Sequence, residues 1–209
     1  MKSSLDPAFE KEVVVLAKKQ LRSRMRAVRQ AHTASSLKPK SEAIVARVLS
    51  EILGPRRVAL FWPMESRNEV DLRPLDLALR ERTGCAIYYP FMDPLPQGGF
   101  RTGFRLTREL SELRERGRQF FEPSPDAPIA APGDIDLVLV PALAADAQGH
   151  RIGYGAGYYD ATLSDVCPPA ESWIVTFEFQ LLAELPREEH DIACSRVITE
   201  KRSLVITKS

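Results

Sequence analysis

The run Asp136-Leu137-Val138-Leu139-Val140-Pro141 is followed shortly afterwards by Gly149-His150-Arg151-Ile152-Gly153-Tyr154-Gly155-Ala156-Gly157-Tyr158-Tyr159-Asp160. The first stretch reads as a strand covered on both faces, which commits the chain to layers on either side of a sheet. The second packs four glycines, three tyrosines, an arginine and an aspartate into twelve residues. Strand, glycine loop and helix start is the order in which backbone N–H groups come to surround a phosphate. Without a Cβ at 153, 155 and 157 the loop can take positive φ and lie close against a ligand. Arg151 offers a planar fork of donors for phosphate or carboxylate, and Asp160 an oxygen that Mg²⁺ accepts.

Elements alternate along the rest of the chain. Asp6-Pro7 starts a long helix. Its apolar stripe is Val13, Ala17, Leu21, Met25 and Val28, and a second stripe carries Lys18, Arg22, Arg26 and Arg29 with no acid between the first and last. Such a stripe is most often a solvated face; it also suits a helix facing an anion. His32 to Lys40 reads as a loop, Ser41 to Leu53 as a helix stopped at Gly54-Pro55, and Val58 to Trp62 as a strand feeding a polar loop with Glu65, Arg67, Asn68, Glu69 and Asp71. A helix over 74–82, a strand over 85–90, a weak strand over 100–106 and a charged turn or short helix over 109–118 follow. The proline-dense 121–133 reads as a surface crossing. Beyond the glycine loop come a helix from Tyr158, a buried strand at Trp173 to Phe177, a short helix over 179–185, and terminal strands at 196–199 and 204–207. Strands alternating with helices argue for an α/β layered sandwich.

With 209 residues and a formal net charge of +1, the chain has no global field that calls for nucleic acid or a membrane surface. No apolar run approaches a bilayer span, and the first six residues lack the apolar stretch of a signal peptide. Three cysteines, Cys85, Cys167 and Cys194, lack metal-site spacing. Reduced thiols in a cytoplasmic protein are the expectation.

Several chemistries are excluded. The chain has no Gly-x-Ser-x-Gly elbow, no paired-His metal motif and no Walker-type lysine loop. Gly153-x-Gly155-x-Gly157 also falls one residue short of the dinucleotide fingerprint. Three glycines alone would equally make a tight turn; the flanking Arg151 and Asp160 favour phosphate.

Gly149-x-Arg151-Ile152-Gly153-Tyr154-Gly155-x-Gly157-Tyr158-Tyr159-Asp160 resembles the signature of the 5-formyltetrahydrofolate cyclo-ligase family, also called methenyltetrahydrofolate synthetases. Lys18-x-x-Leu21-Arg22 resembles that family's basic first helix, and Glu69-Val70-Asp71 its substrate-loop acid. Leu185-Pro186, His190-Asp191 and Val197-Ile198-Thr199-Glu200 resemble its C-terminal block. The likeness runs from about Ala17 to Lys201.

The resemblance implies a single domain over residues 1–209, with 1–16 a helical N-terminal extension. Its fold would be a three-layer α/β/α sandwich around a mixed, mostly parallel sheet, of the sugar-phosphate isomerase and CoA-transferase type. It implies Mg²⁺- and ATP-dependent closure of 5-formyltetrahydrofolate to 5,10-methenyltetrahydrofolate through a phosphorylated formyl oxygen, releasing ADP and phosphate. By the family's pattern Lys18 and Arg22 contact ATP phosphates, which Arg151, Ile152, Gly153, Tyr154, Gly155, Ala156, Gly157, Tyr158 and Tyr159 cradle. Arg151 and Tyr159 are the catalytic candidates, and Asp160 the Mg²⁺ ligand. Glu69 hydrogen-bonds the pterin, and Trp62 and Met64 are candidates to pack on it, with core packing the competing role for Trp62. A monomer is expected. Tyr154 and Ala156 stand where some relatives carry basic side chains, and Cys194-Ser195 where an acid is expected. The alternative is a non-catalytic nucleotide- or folate-binding regulator on the same scaffold.

Overall fold

The computed structural model of the protein describes residues 6–54, 56–116 and 120–207. The expectations placed on Met1 to Leu5, on Pro55 and on Arg118 lie outside those residues. Four helices are present among the described residues: α1 (Pro7–Gln30), α2 (Ala34–Glu51), α3 (Arg73–Arg80) and α4 (Tyr158–Val166). The strands are β1 (Arg57–Ala59), β2 (Ala86–Pro94), β3 (Phe100–Leu106), β4 (Arg114–Arg116), β5 (Phe120–Glu122), β6 (Leu137–Pro141), β7 (Ala144–Asp146), β8 (Arg151–Ile152), β9 (Glu171–Val175), β10 (Leu181–Leu182), β11 (Arg196–Ile198) and β12 (Ser203–Val205).

Seven strands form one sheet in the order β12-β11-β9-β6-β1-β2-β3. The five inner strands are parallel, and β12 and β3 close the edges antiparallel. Side chains alternate across it, as the period of two requires. Leu137 and Leu139 of β6, Trp173 and Val175 of β9, and Ile87 and Tyr89 of β2 enter one core with Leu37, Ile44 and Val48 of α2 and Leu75 and Leu79 of α3. Val138 and Val140, Ile174, and Tyr88 enter the opposite core with Leu163 of α4. Each fully buried aliphatic side chain stabilises the sandwich by about 2 kcal/mol, so both helical layers are bound by the same strands. The three-layer α/β/α expectation with a mixed, mostly parallel sheet is met.

A smaller sheet, β10-β7-β8, lies past the end of β6. α1 covers it through Met25, which packs with Leu143, Ala144, Ile152 and Leu185. That contact sets α1, and with it the basic stripe, beside the glycine loop. Asp6 caps α1 by accepting from the Ala8 N–H at 3.0 Å, and residues 7–16 of the expected extension form the helix's first half.

Three expectations are corrected. The segment 32–40 is not a loop: Thr33 caps α2 by accepting from the Ser36 N–H, and Pro39 is carried inside the helix. Leu37 already belongs to the core face one turn before Ser41; the proline masked that period. Residues 179–185 are not a helix but a 3-10 turn, Glu178–Gln180, followed by β10. The Gln180 amide donates to Ala142 O and Leu143 O, and so draws the chain alongside β7. Within 109–118, a 3-10 turn at Leu110–Glu112 leads into β4, which pairs with β5.

Candidate active site

The site is built from the β7–β8 hairpin outward. Asp146, buried at the turn, accepts from the Gln148 and His150 N–H groups. Gly149 has φ +85°, and a Cβ there would stand 2.3 Å from the carbonyl oxygen of Cys194. Its own carbonyl accepts from the Cys194 N–H at 2.9 Å. Only glycine permits this approach, and it brings the 192–195 segment against β8. Arg151 is fixed by the result: Nη1 donates to Ile192 O at 2.7 Å and Nη2 to Asp160 Oδ1 at 2.6 Å. Cys194 is buried beside it, and burial pushes its thiol up, which disfavours the thiolate.

Beyond Ile152 the chain turns through Gly153 to Gly157 into α4. Among the described residues, none of the five N–H groups from Gly153 to Gly157 has an acceptor in the protein. Gly155 and Gly157 take φ +95° and +69°, Ala156 keeps negative φ, and Gly157 is the N-cap of α4. Five consecutive free donors running into a helix N-terminus form an anion cradle. Asp160 sits in the first turn of that helix, with Oδ1 held by Arg151. Ile152 packs its side chain with Met25 and Leu143 in the core and so meets the cleft only at its edge.

A cleft of about 600 Å³, a size suited to a small-molecule substrate, lies between this loop, α1 and the segment after β1. Every residue nominated from the sequence lines it: Lys18 and Arg22, Trp62, Met64 and Glu69, and 151–160. Arg22 lies over Gly155, where a Cβ would meet its Nε at 3.3 Å, and donates through Nε to Gly153 O. Its two terminal nitrogens have no partner among the described residues. Tyr159 lines the cleft and its hydroxyl also lacks a protein partner there. Burial lifts that phenol well above its ordinary pKa, with Tyr158 and Glu69 adding to the shift, so it stays a neutral donor. Tyr158, by contrast, donates to Gly103 O and is fixed structurally.

Lys18 is placed differently. Its ammonium, on a residue 4% exposed, donates to Glu188 Oε2 at 2.8 Å and to both oxygens of Asp191 at 2.8 and 2.6 Å. The Lys18 hydrogen bond pulls the Glu188 carboxyl down; Asp191 is pulled down by Lys18 and the Glu188 N–H against the opposing effect of burial. All three ammonium donors are engaged, so Lys18 reaches a phosphate only by exchanging an acid.

On the facing wall Glu69 is nearly buried. Burial raises its pKa, opposed by hydrogen bonds from the Met64 N–H at 2.9 Å and the Tyr154 hydroxyl at 2.7 Å and by the field of Arg29 and Arg67. Met64 borders the cleft, and Trp62 both lines it and packs edge-on to Tyr89, so core and cleft roles coexist. Asn68, in the left-handed region at φ 51°, donates to Arg29 O and His32 O and ties this wall to the end of α1.

A divalent cation fits at Asp160, whose Oδ2 has no partner among the described residues. Mg²⁺ is satisfied by one or two carboxylates, phosphate oxygens and water. Glu188, His190 and Asp191 form a second donor group within 4.8 Å of one another, but the Lys18 ammonium already fills it. Sequence reasoning missed Glu188, Arg67, Pro90 and Met92 as cleft residues. Lack of a periodic signal hid the last two, and the run Glu188-Glu189-His190-Asp191 was the available sign of the first.

The family model described as "5-formyltetrahydrofolate cyclo-ligase family" matches residues 14–200. A 5-formyltetrahydrofolate cyclo-ligase of Mycolicibacterium smegmatis is 41% identical over 112 residues, 54% of this chain and 54% of that protein. One from Escherichia coli is 31% identical over 147 residues, covering 69% of this chain and 78% of that one. The solved structure of an Aquifex aeolicus 5,10-methenyltetrahydrofolate synthetase superposes with a TM-score of 0.77 at 26% identity, over 92% of this chain and 94% of that one.

Proposed function

The chain belongs to the 5-formyltetrahydrofolate cyclo-ligase family, and from that premise we propose that it closes 5-formyltetrahydrofolate to 5,10-methenyltetrahydrofolate with Mg²⁺ and ATP. The observation that carries this is the pairing of walls in one cleft. Free N–H donors and the Arg22 and Arg151 guanidiniums line one side, and Trp62, Met64 and Glu69 the other.

The formyl oxygen is amide-like and leaves poorly. Transfer of the γ-phosphoryl group to it releases ADP and gives an imidate phosphate. The N10 lone pair then attacks the formyl carbon, the carbon–oxygen bond breaks, phosphate carries the oxygen away and N10 loses its proton. Such transfer needs positioning and charge neutralisation rather than a protein nucleophile, in keeping with a cleft whose walls offer donors and an acid. The loop N–H groups and Arg22 hold the phosphates, and Arg151 orients Asp160. Tyr159 donates its neutral hydroxyl to the transferring phosphoryl group. Glu69 accepts from pterin N–H groups. Asp160 would hold Mg²⁺, which supplies neutralisation of phosphate charge. On this reading the enzyme works as a cytoplasmic monomer on small molecules, without nucleic acid or membrane.

Incubation with 5-formyltetrahydrofolate, Mg²⁺ and ATP is expected to raise the near-UV absorbance of the methenyl product, and Asp160→Asn to abolish most of the rate. Absence of any ATP-dependent signal sinks the proposal. Unchanged turnover in Asp160→Asn removes that residue from the mechanism.

A further inference from the structure

A second hollow of about 270 Å³ adjoins the cleft and shares Arg26, Arg67 and Tyr154 with it; Arg29 and Gln30 complete its lining. Three guanidinium groups converge on the Tyr154 ring, with central carbons 4.5 Å (Arg67), 5.5 Å (Arg26) and 5.6 Å (Arg29) from its centroid. Arg26 donates to Tyr154 O and Arg29 to the Tyr154 hydroxyl, which in turn donates to Glu69. None of the three arginines forms an ion pair with a carboxylate among the described residues. Arg29 is 3% exposed, and its buried Nε has no partner.

Several arginines elsewhere in the fold are matched with acids. Arg151 pairs with Asp160, Arg105 with Asp93, Arg80 with Asp76 and Arg57 with Asp136. Three like charges around one ring repel one another, and the cation–π contacts return only part of that. Glu69 answers one charge of the three, through the tyrosine. The surplus charge lies along a concave surface that adjoins the cleft, with the orphaned Arg29 Nε buried behind it; a planar oxyanion is recognised by such a cluster of guanidinium groups.

We propose that Arg26, Arg29 and Arg67, arrayed on Tyr154, form an anion subsite for an oxyanion of a bound substrate that takes no part in the reaction. The proposal rests on the cyclo-ligase reading. Two groups of that chemistry accompany its substrates: the glutamyl carboxylates of the folate and the phosphates of the nucleotide. The subsite adjoins the loop cradle and shares Tyr154 with it: the cradle uses that residue's backbone N–H, whereas the three arginines gather on its ring.

The test uses the variant Arg26→Gln/Arg67→Gln, which alters exposed and half-buried positions and spares buried Arg29. Unfolding temperature confirms that the fold is kept. Calorimetric titrations of wild type and variant are run with 5-formyltetrahydrofolate, with its analogue lacking the glutamate, and with ATP plus Mg²⁺. A loss of about tenfold or more is expected for one natural substrate, shrinking as salt rises. Weaker folate binding with the truncated analogue unaffected assigns the subsite to the glutamyl tail; weaker ATP binding assigns it to the nucleotide. A folded variant that binds all three as wild type does overturns the inference while leaving the cyclo-ligase reading intact. Wild type that binds neither folate nor ATP takes both down.

Discussion

Lys18 and Arg22 lie one turn apart on the same face of α1, yet their surroundings are opposite. Lys18 is sealed against Glu188 and Asp191 with every donor used, whereas Arg22, and Arg26 and Arg29 beyond it, meet no carboxylate. The first end of the stripe is a clasp between helix and the 186–195 segment; the rest is positive charge directed at loop and cleft. A run of basic residues therefore does two jobs, and the difference lies in what the chain brings up from more than 160 residues away. An ion pair that distant leaves no period in the sequence, so the stripe looked uniform.

The largest expected effect attacks the clasp. Lys18→Met leaves two mostly buried carboxylates facing each other without a cation, and should cost about 3 kcal/mol of stability, read as a lower unfolding midpoint in urea. The pH dependence should also change sign. In the wild type Glu188 and Asp191 titrate below their unfolded values, so the unfolded state binds more protons. Their contribution is full above about pH 5 and is lost as pH falls through the unfolded and then the folded values. In Lys18→Met the paired acids hold protons more tightly when folded, so stability should rise as pH falls from about 6 toward 4. A variant that keeps wild-type stability and acid sensitivity would break the contrast at its first end.

Next in size is Arg22→Gln. Its terminal nitrogens are free and it touches Gly153 and Gly155, so the fold should keep its midpoint while ATP affinity falls by about a hundredfold. Titration with ATP and Mg²⁺ measures this. Equal loss in Lys18→Met, after allowance for its lower stability, would mean that Lys18 leaves its acids for the phosphates. That result would sharpen the comparison into one between a resident donor and a recruited one.

What the chain's own pattern revealed divides along the same line. β6, β9 and the loop behind β6 were legible because burial on both faces writes continuous apolar runs, and because glycine at 155 and 157 answers a local demand for positive φ. α2's first turns were not, since Pro39 hides the spacing of Leu37, Ser41 and Ile44. Cleft membership of Lys18, Glu69 and Asp160 came from motif likeness. The partners that decide what each can do came only with the fold: Glu188 and Asp191 for Lys18, Tyr154 for Glu69, Arg151 for Asp160. Side-chain pairing across the chain is set by tertiary geometry, which composition and period do not encode.

The smallest effect concerns the far end of the stripe, where Tyr154 joins Arg29 to Glu69. Tyr154→Phe keeps the ring under Arg67, Arg26 and Arg29 and removes one hydroxyl. The loss should be near 1 kcal/mol, because Arg29 and Glu69 stand close enough to turn toward each other. Its signature is the pH profile rather than the midpoint. Burial already raises the Glu69 pKa, so in the wild type this group favours folding at low pH and that favour fades as pH rises through the folded value. Deleting the hydroxyl removes a bond that lowers the pKa, so the gain on acidification toward about pH 4 should grow. A shrunken gain would show that Arg29 has closed directly on Glu69 and pulled its carboxyl down, making the tyrosine a spacer that keeps the arginine available to an anion.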